Sequence, residues 1–168
     1  MLTNIAMHCV PMQKYLPGPG ENGVLRSNLF CPVNVTSQPG GTLPDDQTME
    51  EATNFLKKNH ETDSPYFLAV GLHKPHVPHK FPEEYLQYHP YEDIHLPSNY
   101  FIPPKLPSVA WNPYASLRKR DDVSDTRPIW PWGPLDENLG RRIIQGYYSA
   151  TTYIDSLGDP SKLLSITH

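Results

Sequence analysis

Long apolar runs are missing from this chain, and so are blocks of basic residues. No run approaches the roughly 18 to 20 apolar residues of a membrane-spanning helix, so no membrane span is expected. The formal net charge is −4 and lysine and arginine form no long block, which argues against general nucleic-acid binding. The one basic cluster, Arg118–Arg120, is followed at once by two aspartates, and we interpret it as a solvated surface stretch.

Cysteine is also scarce. Cys9 and Cys31 are the two cysteines, and they permit one disulfide without requiring it. Residues 1–8 lack the basic and apolar regions of a secretion signal, so no signal peptide is expected in this chain. Asn34-Val35-Thr36 is the one glycosylation sequon, and it matters if the chain enters the secretory pathway.

Proline is abundant instead, with 20 residues among 168, about twice the usual share. Many connections must therefore be irregular but stiff. The length corresponds to about one domain that is long enough for a core, and a hydrophobic content of 38% is typical of a globular protein. We treat residues 1–168 as a single domain segment. Its residues 1–45 are predicted to be a loop-rich stretch that leads into the first helix.

Residues 46–88 predict a helix, a strand and a second helix. A capping box at Thr48–Glu51 predicts a helix that ends near Asn59. The apolar run at 66–72 predicts a buried strand, and Pro82 suits the first turn of a short helix over 83–87. The expected buried stripe of the first helix is Met49, Ala52, Phe55 and Leu56.

Residues 89–134 are rich in proline and aromatic side chains. The segment Pro103–Pro107 could dock an SH3 or WW domain, but Trp111, Trp130 and Trp132 would be costly to leave in a disordered ligand. We therefore interpret this region as an ordered loop that packs on a larger body.

A long helix is predicted over residues 135–157, from a cap near Asp136 to about Leu157, and a tail of residues 158–168 follows it. Apolar residues recur along it at spacings of four and three, which predicts one continuous apolar face. That face consists of Leu139, Ile143, Tyr147, Ala150, Ile154 and Leu157. The order of helix, strand, helix, loop and helix indicates an α/β fragment.

The most informative stretch follows the predicted strand. In it His73, His76 and His79 recur at every third position and alternate with prolines. Proline favours polyproline II geometry with three residues per turn, which predicts that the three imidazoles project from one side. Three interpretations are open: a solvated surface turn, a zinc site, and an oxyanion-contacting histidine of an enzyme.

Several blocks of the sequence, in order, resemble the sulfatases over about residues 14–157. The central block is the most specific of them. The blocks are Leu25–Val35, Gly41–Asp45, Pro65–Pro78, Leu106-Pro107, Ala110–Pro113, Arg141–Ile143, Tyr147-Tyr148 and Tyr153–Asp155.

The resemblance implies part of an alkaline-phosphatase-like α/β/α sandwich that hydrolyses sulfate esters. It also implies a calcium ion, a formylglycine nucleophile made from cysteine, a sulfated glycosaminoglycan as partner, and a lysosomal or secreted location. By the motif, His76 matches the family's active-site histidine, while Lys74 and His73 match neighbouring contributors to sulfate binding. An imidazole at this position stabilises negative charge on sulfate and leaving-group oxygens.

The sequence also departs from the family pattern. Cys9-Val10-Pro11 resembles the nucleophile motif but lacks its arginine and its position, so we do not assign Cys9 as the nucleophile. The pairs Asp45-Asp46 and Asp121-Asp122 lie outside the family's calcium-ligand context, so no metal residue is assigned. In the family, the cysteine matching Cys31 forms a disulfide with a cysteine located about where Gly18 stands in this sequence. That disulfide is therefore in doubt here, and Cys9 is the residue that could replace the missing partner.

These departures predict an incomplete catalytic-domain segment whose missing portions complete the fold, and no sulfatase activity from the 168 residues alone. Two functions remain open. One is a sulfatase polypeptide that is active in its full-length form. The other is a non-catalytic relative that binds a sulfated glycan or a protein partner. A metal-binding protein is a distant third hypothesis, which zinc titration tests.

Overall fold

The centre of the fold is a pair of short parallel strands. The computed structural model describes residues 27–60, 64–100, 102–110, 117–124 and 135–159. In that part of the chain β1, Phe30–Val33, pairs with β2, His79–Pro82. Phe30 lies opposite His79 and Val33 lies opposite Pro82. The β1 strand, with Pro32 inside it, was not predicted from the sequence.

Helix α1, Pro44–Asn59, connects the two strands, so β1, α1 and β2 form a β-α-β unit. The helix begins four residues before the predicted capping box. Asp46 accepts a hydrogen bond from the Leu43 backbone N–H at 3.1 Å, and Pro44 occupies the first helical turn. Thr48 lies inside the helix, where its hydroxyl donates to the Pro44 carbonyl. Of the predicted stripe, Ala52 is buried and Phe55 is exposed.

The predicted buried strand at 66–72 is wrong. Residues 65–73 form no strand, and most of their side chains are exposed. Phe67 is 92% exposed, although Tyr66 keeps an edge-to-face contact with Phe55. Apolar composition alone favours a strand at this position, but a strand needs a neighbour to bond with. The sheet of the described residues consists of β1 and β2, and neither pairs with this segment.

The short helix predicted over 83–87 forms as a different type of helix. Pro82 ends β2 instead of opening a helix, and the next turns form a 3-10 helix over Glu83–Tyr88. In the loop region the described residues contain 3-10 turns and a single turn of helix, α2, Asp121–Ser124. The remaining 3-10 segments are Val35–Ser37, Pro39–Gly41, Tyr91–Asp93, Ser108–Ala110 and Leu117–Lys119. The three tryptophans and most of the predicted tail lie outside the described residues.

The basic cluster and the aspartates that follow it are not the solvated stretch that we predicted. The Asp122 carboxylate accepts hydrogen bonds from the backbone N–H groups of Leu29 and Phe30, at 2.8 and 2.9 Å. Arg120 is buried and donates to the Asn28 carbonyl at 3.4 Å. Strand β1 begins with backbone donors that need acceptors, and α2 supplies them, which accounts for the burial of these charges.

Helix α3, Glu137–Leu157, begins one residue after the predicted cap. Asp136 accepts from the Leu139 N–H at 3.1 Å, and the N–H of Gly158 donates to two carbonyls at the other end. The helix lies across both strands. The main core cluster joins them and consists of Cys31, Val33, Leu43, Phe81, Ala150 and Tyr153. A second cluster consists of Leu29, Val123 and Leu139.

The buried face of α3 differs in part from the predicted one. Tyr147 is half-exposed, whereas Gly146, Ser149 and Tyr153 are buried. Gly146 explains the difference, because a Cβ there would lie 2.9 Å from Phe30 Cδ2 and 3.2 Å from His79 Cβ. Small side chains let the helix approach the strands closely, and a search for apolar periodicity does not detect them. No helix in the described part of the chain is long and apolar enough to cross a membrane.

Candidate functional site

The histidine segment forms a turn between α1 and β2. The His76 backbone N–H donates to the His73 carbonyl at 3.1 Å, which closes the turn. The rings of His73 and His76 lie next to each other, with 4.9 Å between their centroids, and both are exposed. The turn therefore presents two imidazoles to solvent from one place on the surface.

The Asp45 carboxylate holds the first half of this turn. It is 3% exposed and lies in the first turn of α1. Its Oδ1 accepts from the His73 N–H at 2.6 Å, and its Oδ2 accepts from the Lys74 N–H at 3.3 Å. Hydrogen bonds to a charged carboxylate are stronger than neutral ones, so this contact fixes the backbone at the site.

Lys74 holds the second half. Its ammonium donates to the carbonyls of His76 and Pro78, at 2.9 and 2.8 Å. Burial, with the positive charges of Lys80 and Arg120, lowers the pKa of Lys74 to about 8, although Asp45 opposes the shift. The side chain therefore stays mainly charged at neutral pH, and most of its donor capacity is used within the turn.

His76 has an orientation that suits proton transfer. Its Nδ1 lies 2.7 Å from the Val77 carbonyl oxygen. A carbonyl can only accept, so Nδ1 carries the proton and the second ring nitrogen, Nε2, remains available to a ligand. At His73, burial and the charges of Lys74 and His76 lower the pKa, and Asp45 partly offsets them.

The His79 side chain is not presented on the same surface as those of His73 and His76. It begins β2, is 3% exposed, and makes an edge-to-face contact with Tyr147. Burial, followed by the charges of Lys74 and Arg120, lowers its pKa to about 4. The expected polyproline geometry is wrong because the chain turns back between His73 and His76, so the period of three does not continue to the third histidine.

The remaining predicted site residues lie elsewhere. Cys31 is fully buried in the core and disulfide-bonded, so it is not a free thiol. Its predicted partner, Cys9, lies outside the described residues, and the pairing stays a prediction. Asn34 is exposed just after β1, where its Oδ1 accepts from the Thr36 N–H at 3.0 Å and from the Thr36 hydroxyl at 2.7 Å.

The residues that the structure describes do not fit a calcium ion. No three histidine, cysteine or acidic side chains among them converge on one point. The aspartate pairs are engaged instead with backbone donors: Asp45 at the turn, Asp46 at the helix start, and Asp122 at β1. Their hydrogen bonds account for the acidic pairs without a metal.

Sequence reasoning missed the role of Asp45. From the sequence it was only excluded as a metal ligand, whereas in the structure its carboxylate binds amides 28 and 29 residues further along the chain. The proline before it marks the helix start, but no local pattern reveals which distant amides the carboxylate binds.

Comparison with known proteins identifies relatives of this chain, although no protein-family model matches it. The chain is 44% identical to mouse iduronate 2-sulfatase and 42% identical to the human protein of that name, each over 137 residues and 82% of the chain. A protein named sulfatase, from Formosa agariphila, is 29% identical over 124 residues, or 67% of the chain. The chain spans about a quarter of the length of the mouse and human relatives, 25% in each.

Proposed function

We propose that this chain, a sulfatase-family sequence over the matched 82% of its length, supplies the histidine-bearing wall of a site that hydrolyses sulfate esters. The pairing of His73 with His76 on an anchored turn is the observation that carries the proposal. Two adjacent exposed imidazoles next to a lysine ammonium form a surface that favours an oxyanion. We assign the turn to one segment of an α/β/α catalytic domain.

His76 is the proposed catalytic residue. With Nδ1–H donated to the Val77 carbonyl, Nε2 can contact a sulfate oxygen or the ester oxygen that departs. When Nε2 is protonated, it donates a hydrogen bond or a proton to the leaving oxygen. When the imidazole is neutral, Nε2 accepts a hydrogen bond from a donor group of the substrate or from water. His73 lies close enough to share the same anion, and the Lys74 ammonium adds positive charge behind the turn.

The proposed substrate is the 2-O-sulfated iduronate at the end of heparan sulfate or dermatan sulfate. The names of two relatives support this substrate class, since both are iduronate 2-sulfatases. The family resemblance adds calcium and a formylglycine nucleophile. The described residues offer no ligand set for the ion, and Cys31 is disulfide-bonded, so we assign no step to either group. We also propose that the 168 residues alone have no turnover.

A lysosomal or secreted location is proposed together with glycosylation at Asn34. The side chain is exposed and immediately precedes a 3-10 turn, so a glycan there would extend into solvent. Expression in a secreting animal cell tests this point. Treatment with an amidase that removes N-glycans should lower the mass of the wild-type protein, and Asn34→Gln should abolish that change at this position. Thr36→Ser, which preserves the sequon, should retain it.

A substrate assay of the full-length protein tests the proposed reaction. We expect release of inorganic sulfate from 4-methylumbelliferyl α-L-iduronide 2-sulfate, with the glycosidic bond left intact. The unsulfated glycoside should release no fluorophore, which shows that the sulfate ester is the bond that is cleaved. If the protein binds heparan sulfate but releases no sulfate from it, the result would support the alternative of a non-catalytic relative that binds a sulfated glycan. Absence of both activities would contradict the proposed function.

A further inference from the structure

The Asp45 carboxylate binds the backbone of the histidine turn and not the histidine side chains. Both carboxylate oxygens are used, one on the His73 N–H and one on the Lys74 N–H. The donors are consecutive amides, so the carboxylate fixes the direction in which the chain enters the turn. The residue itself is fixed, because it is buried in the first turn of α1.

The chain before the turn gives little other support. Residues 65–72 belong to no strand in the described structure, and Phe67 and Val70 are exposed. After the turn, by contrast, the His79 N–H donates to the Leu29 carbonyl at 2.8 Å and β2 begins. The turn is therefore anchored at its far end by the sheet and at its near end by the Asp45 carboxylate.

The position of Asp45 at the start of α1 favours a charged carboxylate that holds the turn. The first turn of a helix carries partial positive charge, which stabilises a carboxylate there by electrostatics as well as by its hydrogen bonds. Asp46, the next residue, has the same charge but accepts from the Leu43 N–H, within its own helix start. The two neighbouring aspartates therefore have separable roles.

We infer that Asp45 is a positioning residue, which sets the placement of His73 and His76 relative to the sulfate ester by binding the two backbone amides that begin their turn. The catalytic part of this inference rests on the proposed function, while the anchoring part does not. Asp45 contacts no reacting atom in this scheme.

The test compares Asp45→Asn with Asp46→Asn in the full-length protein. Each removes one negative charge from the first turn of α1, so the interaction with the helix dipole is lost in both variants. An asparagine at position 45 keeps one oxygen that can accept a hydrogen bond. Its NH₂ group would face the other backbone N–H, so one of the two hydrogen bonds to His73 and Lys74 is lost. We expect amide hydrogen exchange at residues 73–74 to accelerate by about tenfold to a hundredfold in Asp45→Asn, and to be unchanged in Asp46→Asn.

Kinetics provide the second readout. For Asp45→Asn we expect kcat on the sulfate ester to fall on the order of a hundredfold, with KM changing much less, because misplaced catalytic groups lose transition-state contacts first. Asp46→Asn should retain wild-type kcat. If Asp45→Asn does not fold, Asp45→Glu against Asp46→Glu makes the same comparison with the charge retained.

The outcomes are distinct. Unchanged exchange at residues 73–74 in the position-45 variants overturns the anchoring role, and faster exchange with unaltered kcat overturns the catalytic role. An inactive wild-type protein contradicts the proposed function, while amide exchange still decides whether Asp45 anchors the turn.

Discussion

His79 differs from His73 and His76 in its burial, and burial changes what its imidazole can do. Among the described residues its Nδ1 has no hydrogen-bond partner, and the positive charges of Lys74 and Arg120 oppose protonation further. The residue is thus a neutral core side chain against Tyr147 and Gly146, although in sequence it looks like the third member of a repeat.

This burial predicts acid sensitivity. The pKa of His79 is lowered from 6.5 to about 4, so between those values the unfolded chain binds a proton that the folded chain does not. Stability should therefore be intact above pH 6.5 and fall as the pH drops toward 4, by about 3 kcal/mol from this residue. Urea unfolding at several pH values measures this loss in the wild-type protein and in His79→Phe, which should lack most of it.

The exposed His95 provides the control for that comparison, because His95→Gln should retain the wild-type dependence on pH. A pH profile of His79→Phe that coincides with the wild-type profile would show that His79 is not buried as described. At this scale the sequence singles out the three histidines, but it cannot show where the backbone turns, since the anchoring carboxylate lies 28 residues away.

At the scale of elements, α3 was the most predictable part of the chain. Its N-terminal cap, Asp136, and its C-terminal cap, Gly158, are local signals that depend on neighbouring residues. Its buried face was less predictable, because Gly146 and Ser149 face the sheet without being apolar. Strand β1 was missed for a similar reason, since its four residues are stabilised by α2 and β2, which lie far away in sequence.

Gly146→Ala tests the close approach of α3 to the sheet. Alanine normally stabilises a helix interior by up to about 1 kcal/mol relative to glycine. At position 146, however, the new methyl would lie 2.9 Å from the Phe30 ring, which packs against the core, and 3.0 Å from the buried His79 ring. We expect a net loss of about 1 to 3 kcal/mol in the free energy of unfolding, measured by chemical denaturation.

The matched control is Gly140→Ala in the same helix. There the nearest atoms are Leu96 Cδ2 and the Tyr100 hydroxyl oxygen, at 3.0 and 3.1 Å. Both lie at the ends of half-buried side chains, although the Tyr100 hydroxyl is held by a hydrogen bond to the Leu135 carbonyl. We expect a smaller loss or none. Equal stability of wild type and Gly146→Ala would contradict the described packing.

Asp122→Asn tests the attachment of α2 to β1. The carboxylate accepts from two backbone amides, and an asparagine side chain can accept from only one of them in the same geometry. The expected loss is about 1 to 3 kcal/mol in the free energy of unfolding. Asp93→Asn, an exposed carboxylate in a 3-10 turn, is the comparison and should stay within about 0.5 kcal/mol of wild type.

For the whole molecule, the position of the core is the main difference between sequence and structure. Apolar composition indicates a buried strand at 66–72, whereas the core lies around β1, β2 and α3. Composition reports which residues can be buried, but it does not report which neighbours the chain provides. The predicted α/β class agrees with the parallel β1 and β2 pair, although the prediction placed its strand at 66–72, where the structure has none.

Paired substitutions distinguish these two cores. Phe81 is 0% exposed and Phe67 is 92% exposed, so Phe81→Ala should cost about 3 to 5 kcal/mol of unfolding free energy and Phe67→Ala less than about 0.5. Denaturant titration of the full-length protein measures both. A larger cost at Phe67 than at Phe81 would favour the sequence prediction over the structure.

The central claim concerns His76, and its substitution by alanine tests that claim most directly. The rate of sulfate release from 4-methylumbelliferyl α-L-iduronide 2-sulfate by the full-length protein is compared for wild type, His76→Ala and the exposed control His95→Ala. We predict that His76→Ala lowers kcat on the order of a hundredfold or more while His95→Ala stays at the wild-type value. Wild-type turnover by His76→Ala would contradict the assignment of this histidine to the sulfate ester.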